Sequence, residues 1–268
     1  MPYPDYPDQR LIVNGIDLTE TFGLIMVDGY TLSPPEPKTI VVDSNSIDGV
    51  FDLTEAVLGD VCYKNRSQSF SFYKIGTTKE EFETLKRQIS NFLNGRKYDY
   101  TLSFDPGYTY TGRFTVSSYA ESNNFGVFQI SIDAEPYKFK GDMTYSIDVT
   151  YPKLMRVACG RKSVRPIITC TQPIYFWFNG VAFTVSSGIH RLVKALFREG
   201  VNEFYIASQF YKENTWATTK SGGSNHYTWE YLNTEKYRYT YLYSDKNKGD
   251  YSGTGDALAT LTYPWKDL

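Results

Sequence analysis

The stretch FGVFQISIDA, residues 125–134, decides the fold class. Phe128, Ile130, Ile132 and Ala134 alternate with Gln129, Ser131 and Asp133. A two-residue period is that of a β-strand with one face in a core and the other in water. Residues 98–104 and 113–119 read as strands of the same kind. Asp105-Pro106-Gly107 and Glu121-Ser122-Asn123-Asn124 supply the turn chemistry that joins the three into an antiparallel meander. Just before the meander lies the one segment with helical period. Between Thr78 and Asn94, the residues Phe82, Leu85, Ile89, Phe92 and Leu93 recur at steps that place them on one helix face. Thr78 and Glu81 fit a capping box, and Gly95 fits the C′ position. Earlier strands are expected over residues 10–16, 23–30, 39–42 and 67–75, separated by Gly, Pro and Asp.

Residues 135–165 change character. Pro136, Gly141, Pro152 and Gly160 act as breakers, and Arg156, Arg161, Lys162 and Arg165 form a basic cluster that reads as a solvated interdomain segment. A domain junction is expected near Gly141, giving domains 1–140 and 141–268. In the second half, residues 174–178 and 181–185 flank Asn179-Gly180, the preferred pair for a two-residue type I′ hairpin. A turn at Glu199-Gly200-Val201-Asn202 leads into an alternating strand at 204–206. The expected fold is mainly β, with one helix in the first domain and a β-sandwich in the second.

Composition agrees. The chain has 268 residues, 41% hydrophobic and 22% charged, which is enough for a sizeable core. Its 24 Tyr and 17 Phe favour strands. A net charge of −2 removes bulk attraction to nucleic acid as a default function. The charge is uneven: residues 1–140 carry 13 Lys plus Arg against 19 Asp plus Glu, and the remainder carries 15 against 11. The first eight residues offer no basic or apolar signal region, and the apolar run 174–185 is too short and too broken to span a bilayer, so no membrane insertion is expected.

Chemistry-bearing motifs are weak. There is no phosphate loop and no dinucleotide fingerprint. Ser71 and Lys74 match S-x-x-K, but inside a strand pattern and without the partner motifs. Residues 43–49 resemble a calcium loop only superficially, since Ile47 stands where a ligand is needed. Asn65-Arg66-Ser67 is a glycosylation sequon without a secretory route. Two histidines, His190 and His226, and three cysteines leave little for a metal site or disulfide framework. The reading is a non-enzyme with no cofactor and no metal. The stretch KYRYTYLY, residues 236–243, places four tyrosines on one face of a strand. Trp229, Tyr237, Tyr239, Tyr241 and Tyr243 are the candidate aromatic contact surface, set against the alternative of an aromatic-lined core.

The order of these elements resembles the distal tail proteins (Dit) of long-tailed phages with non-contractile tails. The similarity starts at Leu11-Ile12-Val13-Asn14-Gly15-Ile16-Asp17-Leu18-Thr19 with Phe22-Gly23-Leu24. It continues through Ile47-Asp48-Gly49-Val50-Phe51-Asp52 and the segment 66–73 to the single helix. Phe104-Asp105-Pro106, Tyr110-Thr111-Gly112-Arg113-Phe114, residues 128–133 and Pro136-Tyr137-Lys138 complete it. It covers residues 10–140, with weaker support from Asn179-Gly180 and Gly200-Val201-Asn202 beyond. The resemblance implies an N-terminal split β-barrel or sandwich with one helix, like that of tail tubes, and a C-terminal galectin-like β-sandwich. It further implies a structural virion protein at the tail tip, assembled in the host bacterial cytoplasm. Such a protein forms a homo-hexameric ring that joins tail tube, tape-measure, tip and receptor-binding proteins, with DNA only in passage. A carbohydrate-binding module of the tail tip is the alternative function. The excursion from Thr31 to Asp60, with Pro34, Pro35 and Pro37, is the candidate for reaching a neighbouring subunit.

Overall fold

In the computed structural model, the strand patterns and turn residues of the sequence become an almost wholly antiparallel β protein. The structure describes residues 9–27, 29–43, 48–56, 59–76, 78–122, 125–149, 153–208, 226–232, 238–244 and 258–268. The chain divides into two compact units, Met1–Lys140 together with Lys266–Leu268, and Gly141–Trp265. The last three residues thus belong to the first unit.

The first unit begins with β1 (Leu11–Val13) and β2 (Ile16–Asp17). The expected single strand over 10–16 is broken in two, because Asn14 (φ 50°) and Gly15 (φ 78°) are left-handed and turn the chain back on itself. A short helix that the pattern did not reveal follows, α1 (Leu18–Phe22). Its five residues are too few to show a period, and it exists through its caps. Asp17 Oδ1 accepts the Thr19 N–H at 2.7 Å, and left-handed Gly23 donates to the Leu18 and Thr19 carbonyls. Next come β3 (Ile25–Met26), β4 (Thr31–Leu32), a hairpin of β5 (Val41–Asp43) and β6 (Val50–Asp52), and the long β7 (Arg66–Ile75). The strand expected over 23–30 shrinks to β3.

Helix α2 (Lys79–Leu93) starts at the expected capping box. The Glu81 N–H donates to Thr78 Oγ1 at 3.3 Å, and the Thr78 N–H donates to the Glu81 carboxylate at 2.9 Å. Its buried face is Phe82, Leu85, Ile89 and Leu93. The meander follows as β8 (Lys97–Leu102), β9 (Tyr110–Ser122) and β10 (Phe125–Ala134). These strands build one antiparallel sheet in the order β2-β1-β8-β9-β10-β7-β3, with β4 also on β7. A bulge between Gln129 and Ile130 shifts the β9–β10 register. The core of the unit is aromatic: Tyr100 stacks on Tyr110 at 5.4 Å and meets Phe114 edge-on at 5.3 Å, while Phe82 packs on Phe128 at 5.0 Å.

The second unit is a sandwich. Its strands are β11 (Lys138–Asp148), β12 (Lys153–Cys159), β13 (Ile167–Cys170), β14 (Ile174–Phe178), β15 (Val181–Val185), β16 (Gly188–Arg191), β17 (Gly200–Ser208), β18 (His226–Leu232), β19 (Arg238–Ser244) and β20 (Leu258–Asp267). Two four-stranded sheets, β11-β20-β13-β16 and β12-β17-β14-β15, share one core. In it Phe204 stacks on Phe176 at 4.7 Å and Phe197 meets Tyr263 edge-on at 5.6 Å. The Asn179-Gly180 hairpin is present, with both residues left-handed (φ 47° and 79°) and β14 paired to β15 from Ile174–Val185 to Phe178–Val181. The described residues of 135–149 and 153–165 are more regular than their breakers imply. Strand β11 runs unbroken through Gly141 (φ 129°), and Arg156 lies on β12 instead of in a linking segment.

Gly126 on β10 is required for close approach, because a Cβ there would lie 1.8 Å from the Phe82 ring. Gly126→Ala is expected to destabilise the first unit by about 1–3 kcal/mol through overpacking. Phe82→Leu in the same chain should recover part of the loss, both read by denaturant unfolding.

Candidate functional site

Between β4 and β7 the chain leaves the sheet as an arm. Its stem is a short ladder: the Lys64 N–H donates to the Glu36 carbonyl at 2.8 Å, Pro37 bridges Tyr63, and the Lys38 N–H donates to the Cys62 carbonyl at 2.7 Å. A Lys64–Glu36 ion pair at 3.0 Å lies on the same rungs, exposed and worth little by itself. Pro34 and Pro35 restrict the backbone leading into the stem. Beyond it, Val41 pairs with Asp52, Val42 with Phe51 and Asp43 with Val50. Thr54 closes the base of the hairpin. Its Oγ1 accepts the Ile40 N–H at 3.1 Å, and its own N–H donates to Asp52 Oδ1 at 2.9 Å. The Thr54 side chain first, and its N–H next, hold the Asp52 carboxyl below its ordinary value.

Strand alternation sends successive arm residues to opposite faces, and both faces are apolar and uncovered. Ile40, Val41, Val42, Val50, Phe51 and Leu53 are between 41% and 56% exposed. Two-stranded ribbons are marginal by themselves, and apolar residues on both faces of one mark a surface built to be covered.

A second arrangement gathers the motif pieces Phe104-Asp105-Pro106, Tyr110 and Lys138 around one carboxylate. Asp105 accepts a short hydrogen bond from the Tyr110 hydroxyl and an ion pair from Lys138 Nζ at 2.9 Å. The Lys138 ammonium also lies 4.1 Å from the Tyr108 ring centroid. Tyr108 donates to Asp267 Oδ2 at 2.8 Å, and Thr109 bridges Phe139. The turn after β8 therefore fastens both the start of β11 and the end of β20 within the first unit. Beneath it Arg66 is buried over the Tyr110 ring at 4.9 Å, and Tyr100 donates to Gln68 Oε1 at 2.6 Å. Burial first, and Asp105 next, push the Tyr110 hydroxyl far above its ordinary value. Burial does the same for Tyr100, and the hydrogen bond to Asp267 raises Tyr108. In the sequence Asp105, Tyr110 and Lys138 stand out only as pieces of the resemblance, with no common role. The available signal was a carboxylate placed just before Pro106 between apolar strands.

The aromatic residues chosen from sequence fall on a ribbon of the second unit. Strands β18 and β19 pair Tyr227 with Tyr243, Trp229 with Tyr241 and Tyr231 with Tyr239. By the two-residue period these six positions share one face of the ribbon. Tyr237 lies outside the described residues. The basic cluster is tied into local pairs: Arg156 meets Glu203 at 2.6 Å, Arg161 meets Glu199 at 3.7 Å, and Arg165 donates to the Val193 carbonyl at 3.2 Å. Ser71 and Lys74 sit within strand β7 and not in the first turn of a helix. His190 Nε2 lies 3.2 Å from Ser186 Oγ and 3.1 Å from the Ser187 carbonyl. A nitrogen that donates to that carbonyl cannot serve as base to the hydroxyl, so the contact reads as turn geometry.

No protein-family model and no curated protein matches the sequence. Among solved structures, the chain is similar to the crystal structure of SPP1 Dit (gp 19.1), a paradigm of the hub adsorption apparatus in phages infecting Gram-positive bacteria. The TM-score is 0.54, over 97% of this chain and 99% of that one, at 12% identity. At that identity the likeness is one of fold. The fold is Dit-like and mainly β.

The buried tyrosines set a pH dependence. A folded-state pKa above the unfolded one gives stability that is complete below about pH 10 and is lost as pH rises further, because only the unfolded chain releases those protons. The thermal midpoint is expected to fall steadily above pH 10. In Tyr110→Phe the fall should be shallower, as followed by circular dichroism from pH 8 to 11.5.

Proposed function

We propose that this chain is a structural protein of a phage tail tip, a distal tail hub that assembles as a ring around the DNA exit path. The observation that carries the reading is the end-to-end likeness of fold to the SPP1 Dit hub protein, which spans both units. The exposed arm supports it independently. A closed ring of identical subunits needs one surface that reaches out and another that receives it, and the arm is a surface of the first kind. The proposed stoichiometry is six. The proposed neighbours are the tail tube, tape-measure and tip proteins and the receptor-binding proteins. The proposed place is the virion tail tip, after assembly in the cytoplasm of the host bacterium, and the role is structural and non-catalytic.

In this reading residues 1–140 form the ring and residues 141–268 are the galectin-like domain. The acidic balance of the first 140 residues suits a conduit, since like charge keeps phosphate from adhering to the wall. The molar mass of the purified protein, measured by size exclusion with light scattering over a concentration series, tests the ring. A mass near six or twelve chains is expected. Replacing residues 39–54 by a short Gly-Ser linker, which leaves the stem intact, should reduce it to that of one chain.

The register of β18 and β19 favours one second reading, in which the ribbon face carrying Trp229, Tyr239, Tyr241 and Tyr243 is a contact surface for host cell-wall sugars. Binding on an array of cell-wall glycans is then expected, with at least roughly tenfold loss in Tyr239→Ala. No binding by the wild-type chain would remove this reading and leave the hub untouched.

A further inference from the structure

In the second unit, the sheet β11-β20-β13-β16 ends at β16, and no described strand pairs with its far side. The pairing of β16 with β13 fixes which main-chain groups stay unused. The Leu192 N–H donates to the Pro166 carbonyl at 2.9 Å, so these two residues face each other as a hydrogen-bonded pair. Bonded and non-bonded pairs alternate along an antiparallel ladder. Ile168 and His190 are therefore a bonded pair, whereas Ile167 with Arg191 and Thr169 with Ile189 are not. Ile189 and Arg191 thus turn their N–H and C=O groups away from β13, off the open edge.

The side chains of the same two residues stand on the outer face, since Ile168 across from His190 is fully buried. Ile189 is 73% exposed, and Arg191 is exposed two residues on. Ile167 (38%) lies directly across the ladder from Arg191, and Val193, beyond it in the chain, is 70% exposed. A guanidinium is therefore set among apolar side chains. Among the described residues it has no ion pair: Glu199 is engaged by Arg161 and Glu203 by Arg156. Its neighbours add positive charge, because Arg165 donates to the Val193 carbonyl and Lys194 is the next residue.

We infer that this edge receives an extended, acidic strand of a partner protein, which adds to the sheet beside β16 and brings a carboxylate to Arg191. The site is separate from the arm and does not depend on the ring reading. Main-chain groups that point off a sheet edge at strand spacing are matched by the main chain of another strand. Side chains directly opposite each other on adjacent strands lie about 5 Å apart. A partner residue across from Arg191 therefore meets the guanidinium, which holds a carboxylate through two parallel hydrogen bonds. One across from Ile189 meets an apolar side chain. If the partner runs antiparallel, as every pair in this sheet does, its sequence reads acidic, any residue, apolar.

Charge selects this occupant over a second copy of the chain. Strand β16, Gly188–Arg191, carries a cation and no carboxylate. Two copies joined edge to edge would leave both guanidinium groups unanswered, with Arg165 and Lys194 of each adding to the repulsion. The same cation disfavours neutral and basic strands, which pair with the backbone but leave Arg191 without a counter-charge. Attraction for one class of strand and a penalty for the others are together what make an open edge specific.

The test uses the full chain and two synthetic peptides, TVTETVT and TVTKTVT, which differ only in the residue placed across from Arg191. The first is expected to bind and to slow hydrogen exchange at the Ile189 and Arg191 amides. The second should bind at least roughly tenfold more weakly. Arg191→Glu, an exposed change, should reverse that order. Ile189→Pro should abolish binding and leave the sheet intact, because the N–H it removes points away from β13; unchanged circular dichroism is the control. Equal binding of the two peptides, or binding of neither at millimolar concentration, would overturn the inference. So would protection that falls elsewhere than on β16, or an Arg191→Ala chain that merely self-associates and keeps the wild-type affinity for TVTETVT. The assembled mass of Ile189→Pro should equal that of the wild type, so the result bears on this edge and leaves the ring reading untouched.

Discussion

Apolar surface has to be removed from water, and most of this protein's architecture is the means of doing so. In the first unit the sheet buries one face in an aromatic core closed by Phe82, Leu85, Ile89 and Leu93 of α2. In the second, two sheets cover each other. Each leaves a few apolar side chains in water, Ile189, Val193 and Val201 among them, but the arm leaves six together. Its six half-exposed aliphatic and aromatic residues have no cover in the single chain, at a cost of the order of 25 cal/mol for every Å² left in water. A chain that retains such a surface is shaped for a partner.

The same contrast separates the polar groups. Exposed pairs such as Lys64–Glu36 and Arg156–Glu203 trade one solvated arrangement for another and contribute little. The group around Asp105 differs because it is partly withdrawn from water. One carboxylate takes a proton donor from Tyr110 and a cation from Lys138, while Tyr108 beside them reaches Asp267. Here the polar contacts do topological work. They hold, on one turn, the strand that leaves the first unit and the strand that returns to it. Dihedral preference alone would not bring residues 105, 138 and 267 together.

Short-range signals in the sequence were read correctly where one local term dominated. Asn179-Gly180 became a type I′ turn because only left-handed residues match the twist of adjoining strands. The Thr78–Glu81 box began α2 at the expected residue. Signals failed where tertiary pairing overrode composition. Gly141 did not break β11, since a glycine is tolerated in a strand whose neighbours supply the ladder. Helix α1 went unseen because five residues hold less than two turns of period.

What the sequence by itself determined is the β class, the single long helix with its caps and face, the turn-defined hairpin of the second unit and the proline-rich excursion that becomes the arm. These depend on dihedral preferences and on periods of two and 3.6 residues, which are properties of consecutive residues. Only the tertiary structure decided that the arm stays uncovered on both faces, that Asp105 gathers Tyr110 and Lys138, and that the final residues return to the first unit. Exposure and long-range pairing are fixed by which strands become neighbours. That is settled by the joint burial of residues many tens of positions apart, and no local pattern records it.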